Sequence, residues 1–176
     1  MIKGNKTLLI PVTEDDSREI INLRNNPAIS KYLSGDKKLT LYDQIQWIRN
    51  NNTNPNNFYW KICNVKNEFC GTISLYNINA GKAEFGRYIC TNPIQAIESE
   101  LMLIRFAFQV CNLNEIYCRT VIDNVKVWQQ HYSFGFKDFG EEKLLDRNFI
   151  LKIQTLAKET FNKFDYSNID KLIARF

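Results

Sequence analysis

Histidine is nearly absent from this chain, which has one in 176 residues. The five cysteines (Cys63, Cys70, Cys90, Cys111 and Cys118) are odd in number and none sits in a CxxC pair. A zinc site, which needs His and Cys at set spacings, is therefore not expected, and no other metal is implied. The cysteines fall inside apolar segments and read as packing residues, and reduced thiols scattered in this way point to the cytoplasm. Lys and Arg never run longer than a pair and the net charge is only +4, so nucleic acid is not expected as a partner. No apolar run approaches the ~20 residues of a membrane span. Residues 1–6 lack the apolar centre of a signal peptide, so no membrane association is expected.

Apolar material is plentiful: 44% of residues are hydrophobic and 13% aromatic, enough for a packed core. Thr7–Pro11 reads as a short edge strand closed by its proline. Thr13 and Asp16, then Thr40 and Asp43, carry the spacing of capping boxes. The first opens a helix with Ile20, Ile21 and Leu23 inward, ended at Asn25-Asn26-Pro27. The second opens a helix through Arg49. Asn50–Asn57 reads as a loop. Phe58–Asn64, Glu68–Tyr76 and Lys82–Thr91 read as three successive strands, the first two joined by a tight turn at Val65-Lys66-Asn67. Ile97–Cys111 has helical spacing, Glu115–Ile122 is a strand and Asn124–Phe134 a helix. Phe136–Lys143 and Asn148–Leu156 form a hairpin. Phe161, Phe164 and Ile169 anchor a helical end. Gly71 relieves crowding within its strand.

Three consecutive strands predict an antiparallel meander, and strand–helix–strand over 82–122 predicts a right-handed parallel crossover. The expected fold is α/β (α+β): one domain over residues 1–176, with a mixed, mostly antiparallel sheet of about seven strands flanked by helices. Residues 157–176 are a C-terminal helical extension.

Several stretches resemble GNAT acetyltransferases. Asn124, Gly135 and Phe136 match the spacing of the family's Asn-x-x-(Ala/Ser)-x-x-x-(Tyr)-x-x-x-Gly-Phe signature, directly after a strand, with His131 in the tyrosine slot. Ala83-Glu84-Phe85-Gly86-Arg87-Tyr88-Ile89 looks like a strand of the branch holding ribosomal-protein and amino-sugar acetyltransferases. Leu23-Arg24-Asn25, Thr40-x-x-x-Gln44-x-x-Trp47 and Phe106-Ala107-Phe108 agree with it, over roughly residues 7 to 157. One stretch departs: Thr91–Glu100 has no glycine where the family carries a glycine-bearing loop that cradles the pyrophosphate of CoA at a helix N-terminus. Glu98 and Glu100 also bring negative charge there.

The resemblance implies acetyl transfer from acetyl-CoA to a primary amine of a small molecule, such as an amino-sugar nucleotide, by a monomer or homodimer. A protein N-terminal acetyltransferase of the ribosomal-protein type, or a degenerate domain that only binds, are the alternatives. It implies a gap between Lys82–Thr91 and Glu115–Ile122 for the thioester, with a bulge near Gly86–Tyr88 aiming an N–H at the carbonyl. Glu84 is the candidate base, against a plain surface pair with Lys82 or Arg87. His131 stands in the slot of the tyrosine that protonates the departing thiolate, with Tyr132 as substitute. Tyr88, Ile89, Gln95, Ala96, Ser99 and Asn124 are placed along the cofactor arm. Arg24, Gln44, Trp47, Tyr59 and Tyr76 are placed on the acceptor side, although Trp47 and Tyr59 equally suit core packing.

Overall fold

The computed structural model describes residues 1–33, 38–144 and 149–175. The strands are β1 (Ile2–Lys3), β2 (Thr7–Pro11), β3 (Phe58–Asn64), β4 (Phe69–Asn79), β5 (Lys82–Cys90), β6 (Glu115–Val121), β7 (Lys137–Leu144) and β8 (Phe149–Ala157). They form one mixed sheet in the order β1-β2-β3-β4-β5-β6-β8-β7, in which β5–β6 is the parallel pair and all other neighbours are antiparallel. That is eight strands, not about seven. The extra one, β1, is two residues long, too short to show an alternating pattern in sequence. Asn148, expected to open β8, and Phe176, at the end of the helical tail, lie outside the described residues.

The helices are α1 (Ser17–Arg24), α2 (Pro27–Ser30), α3 (Leu41–Asn52), α4 (Pro93–Arg105), α5 (Val125–Tyr132), α6 (Lys158–Lys163) and α7 (Ser167–Arg175). The first capping box forms, with Asp16 accepting from the Thr13 N–H; at Thr40 only the N-cap half forms, its hydroxyl accepting from the Asp43 N–H while Asp43 accepts from that hydroxyl. Two boundaries differ from expectation. α3 continues to Asn52, past Arg49, because its asparagines find tertiary partners: Asn52 donates to the Val12 carbonyl, and Asn51 accepts from Arg87. Those bonds replace the local ones with which Asn usually competes against a helix.

The glycine-free stretch differs as well. It is not a loop; α4 starts at Pro93, four residues before the expected Ile97. Asn92 caps it by accepting the Ile94 N–H at 3.0 Å, and Pro93 fills the first helical position, where no N–H is needed. The far end of the same run, Phe106–Val110, winds as a π-helical turn.

α4 lies across β2, β3, β4 and β5, and its Leu101, Leu103 and Ile104 pack with Ile62, Ile73, Leu75 and Phe85 in the main core. Phe161, Phe164 and Ile169 join it from the C-terminal end of the chain. A smaller cluster of Val12, Ile20, Ile48 and Tyr59 fills the other face, beneath α1 and α3. In β4, a Cβ on Gly71 would lie 1.9 Å from the Ile89 carbonyl oxygen and 2.8 Å from Cys90 Cα. Both neighbours are backbone, so the strands would have to part. Gly71→Ala is therefore expected to cost at least the ~1–3 kcal/mol of overpacking. For a chain of this length that lowers Tm by roughly 2–4 °C per kcal/mol, which a thermal melt will show.

The parallel pair is open. β5 and β6 are in register only at Lys82–Glu115, Ala83–Ile116 and Glu84–Tyr117, and then diverge. On its other edge β5 carries a bulge: Ser74 pairs with Gly86 and Thr72 with Ile89, leaving one extra residue in β5. Arg87, inside it, takes φ +48°, a left-handed value that a residue with a Cβ seldom adopts. The bulge turns the end of β5 away from β6, and the wedge opens between them.

Candidate active site

A cavity of about 1010 Å³ occupies this wedge and opens on both faces of the sheet. On the α1/α3 face it is lined by Arg24, Gln44, Trp47, Tyr59 and Tyr76, the five residues expected on the acceptor side. On the α4/α5 face it is lined by Tyr88, Ile89, Ala96, Asn124 and His131. Three expected residues lie elsewhere. Gln95 turns back to donate to the Lys6 carbonyl, Ser99 is fully buried with its hydroxyl bound to the Ala96 carbonyl, and Tyr132 donates to Asp138 on β7. Asn124 stands just before α5, but its side chain makes no capping bond; its carbonyl accepts from the Val127 N–H instead.

Trp47 and Tyr59 meet edge to face at 5.3 Å. Tyr59 is core, 5% exposed, while Trp47 remains 37% exposed at the cavity mouth. Arg87 extends from the bulge across this wall. Its guanidinium carbon lies 3.9 Å from the Tyr76 ring centre and 4.8 Å from that of Trp47, and it donates to Asn51 and Ser74. These partners are all neutral. No described carboxylate pairs with Arg24 either.

Glu84 is buried at the vertex, 3% exposed. It pairs with neither Lys82 nor Arg87; Lys82 goes to Glu115 instead. Arg119 of β6 grips it through Nε at 3.0 Å and Nη2 at 3.1 Å, and the Tyr76 hydroxyl donates at 2.7 Å. Asn77 and Tyr117 complete the shell. Two donors on one oxygen and three on the other occupy the lone pairs of the carboxylate. Burial, and then the adjacent anion, raise the Tyr76 phenol above its ordinary value, and hydrogen bonds to Glu84 raise Arg119. The Glu84–Arg119 pair also walls the cavity off from a smaller one of about 440 Å³ on its far side. Arg119 has no motif of its own in the sequence. Only the register, which sets Tyr117 beside Glu84, shows that Arg119 shares its face.

Neither glutamate of the α4 start faces the cavity. Glu98 accepts from the backbone N–H groups of Asn5 and Lys6. Glu100, with no exposure at all, reaches α5, where Gln130 donates to it at 2.6 Å and His131 Nδ1 lies at 2.7 Å. His131 is 1% exposed and wedged between Phe85 and Phe136. Burial alone would push its imidazolium to lose the proton. The Glu100 carboxylate, helped by the Cys118 thiol, outweighs that and holds its pKa up at about 10. The first turn of α4 thus meets the cavity without carboxylates, with Thr91, Pro93 and Ala96 on the wall and Lys126 of α5 opposite. Pro93 has no N–H, and Asn92 takes the N–H groups of Ile94 and Ala96, so what this end offers an anion is the helix dipole and Lys126.

Similarity to known proteins agrees with this geometry. The Acetyltransferase (GNAT) domain family matches residues 6–137, about three quarters of the chain. The protein belongs to the GNAT acetyltransferase family. No curated protein matches this acetyltransferase at a significant level. Among solved structures, it resembles spermidine N-acetyltransferase from Vibrio cholerae in complex with CoA and spermine, with TM-score 0.79 and 20% identity over 90% of this chain and 99% of that one. It also resembles FdhC, a nucleotide-linked sugar GNAT, with TM-score 0.78 and 23% identity over 92% of each chain. A probable acetyltransferase from Chromobacterium violaceum has TM-score 0.77 and 15% identity, over 91% of this chain and 92% of that one. At such identities the likeness speaks for the fold alone. The acetyltransferase has no described helix long and apolar enough to cross a membrane.

Proposed function

We propose that this enzyme moves an acetyl group from acetyl-CoA to the primary amine of a small anionic acceptor, an amino-sugar nucleotide by class. The observation that carries the reading is the through-sheet cavity at the splayed β5–β6 pair, with a cationic, aromatic acceptor wall on one face and a carboxylate-free helix start on the other. The whole chain acts as one such domain, with the helices after residue 157 as a packed appendage.

Acetyl-CoA enters from the α4/α5 face. The pyrophosphate lies against the first turn of α4, beside Ala96, held by the helix dipole and by Lys126 opposite. Tyr88, Ile89 and Asn124 flank the arm. Tyr88 and the bulge at Arg87 bring backbone N–H groups to the wedge, where the tetrahedral oxyanion forms. His131, a protonated donor at neutral pH, gives its proton to the departing thiolate; Tyr132 faces the wrong way to do so.

The charge of the acceptor wall separates the possible amines. Arg24, Arg87 and Arg119 stand against Asp43 and Glu84, and Arg119 already neutralises Glu84. A net positive wall repels a polyamine or a basic peptide N-terminus and attracts phosphate, while Trp47 and Tyr76 offer faces to a sugar or base. Glu84 holds Tyr76 and Arg119 in place; it has no free lone pair with which to take the amine proton.

Saturating acetyl-CoA is expected to stabilise the fold by ~2.7 kcal/mol at 100 times its Kd, a clear rise in Tm. A nucleotide-linked amino sugar is expected to be acetylated faster than spermidine. Arg24→Gln should raise KM for the nucleotide-linked acceptor roughly 10- to 100-fold, the value of one charge-assisted hydrogen bond. Faster turnover of spermidine would overturn the acceptor class, and an unmoved Tm would overturn the cofactor.

A further inference from the structure

Two arginines of this chain grip a carboxylate in the same way. Arg49 holds Glu14 through Nε at 2.7 Å and Nη2 at 2.8 Å, and Arg119 holds Glu84 through the same pair of nitrogens. That edge of the guanidinium is a fork matched to two oxygens of a carboxylate or phosphate. Arg87 leaves it empty. Both of its hydrogen bonds go from Nη1, to Asn51 at 3.0 Å and to Ser74 at 3.3 Å, and its Nε and Nη2 meet no acceptor among the described residues. The described buried polar atoms without a partner are confined to Thr7 and Gln154, so neither nitrogen is sealed from solvent. Arg87 lines the cavity, and the unfilled fork opens into it.

We propose that Arg87 is the anion anchor of the acceptor, its Nε/Nη2 fork taking a phosphate or carboxylate carried close to the amine that is acetylated. The proposal rests on the reading above and deepens it, naming the group the acceptor must carry and where. The guanidinium is fixed in advance: its carbon lies 3.9 Å from the Tyr76 ring centre and 4.8 Å from that of Trp47, while Asn51 and Ser74 hold Nη1. A fork already held in place loses little freedom when an anion arrives. Arg24 shares the wall but has no hydrogen bond among the described residues to set its direction, and Arg119 is taken by Glu84 and Glu142.

The charge of Arg87 is also unmatched. Its partners are neutral, Glu84 is filled by Arg119, and Asp43 is engaged by the Thr40 hydroxyl. Burial lowers the Arg87 pKa from its ordinary value, the mark of a cation short of water, and an anion brought by the ligand relieves that shortage. Position then limits the acceptor. Arg87 belongs to the bulge that opens the wedge, so the anion lies within one arginine side chain of the strand beside which the amine reacts. An amine with its acid at the end of a long chain does not fit. An amine with a phosphate or carboxylate on the same ring, or within a few bonds, does.

The test is calorimetric binding to the enzyme saturated with CoA, so that the cofactor's own phosphate site is filled. Uridine diphosphate is the phosphate probe and succinate the carboxylate probe. Uridine diphosphate is expected to bind the parent, and Arg87→Met to bind it roughly 10- to 100-fold more weakly, the value of a charge-assisted pair. Arg87→Lys keeps the charge without the fork and should recover only part of that loss, which a merely structural role would not produce. If Arg87→Met does not fold, Arg87→Lys decides alone, and a Kd equal to the parent's overturns the fork. Binding of succinate alone, lost in the variants, keeps the anchor and overturns the nucleotide-linked acceptor. No binding of either probe, or equal binding by parent and Arg87→Met, overturns the anchor and leaves the acetyl-CoA reading standing. Failure of CoA itself to bind overturns that reading instead, and the same probes then test Arg87 in the free enzyme.

Discussion

Glu100→Gln is expected to destabilise the protein by ~3–5 kcal/mol, because it leaves the His131 imidazolium buried without its counter-charge. That is a large share of the ~5–15 kcal/mol that holds an ordinary domain together. The pH dependence identifies the cause. His131 titrates at about 10 when folded, against an ordinary 6.5. The folded state therefore binds the proton more tightly than the unfolded one. The stabilisation is complete below pH 6.5 and fades as pH climbs through 10, by up to ~1.4 kcal/mol per pH unit within the window. Melts of the parent protein should decline across that range, and those of Glu100→Gln should be flatter. A parent curve with no slope there would mean that the pair does not hold its proton in solution.

The second large effect belongs to catalysis. His131→Gln keeps a polar group near Glu100 but no proton that can be given to a thiolate. Turnover is expected to fall by ~10²- to 10⁴-fold, the usual contribution of a general acid or base. The rise in Tm with acetyl-CoA should survive, because His131 holds no part of the cofactor's phosphates. In the parent, kcat should fall on the alkaline side as the imidazolium loses its proton near 10, and the variant should lack that limb. Undiminished turnover would take His131 out of the chemistry.

The fold was largely legible because its signals are local. Capping residues at Thr13 and Thr40, the apolar and aromatic runs of β3 to β5 and the apolar spacing of α4 each act within a few residues. The opening between β5 and β6 came from resemblance, and the structure gives its cause in the bulge at Arg87. Residues expected in the site were mostly brought together, since strands β4 to β6 and the starts of α4 and α5 converge on the wedge. Their partners were not legible. Glu84 and Arg119 are 35 residues apart, and Glu100 and His131 are 31 apart. No periodicity links such positions; only the folded register does. The glycine-free segment misled for a related reason. Asn92-Pro93 is a strong helix start by itself, but the comparison with a glycine-bearing loop drew attention to what was missing.

Glu98 gives the front of the chain a task. By accepting both the Asn5 and Lys6 amides, it buckles the β1–β2 turn onto the leading coil of α4. A tag added ahead of Met1 leaves that buckle fastened. Trimming through Lys6 would unfasten it and strand an anion, 4% exposed, in the first turns of α4. Shortening the chain there would loosen the helix start that we propose to meet the phosphates of CoA.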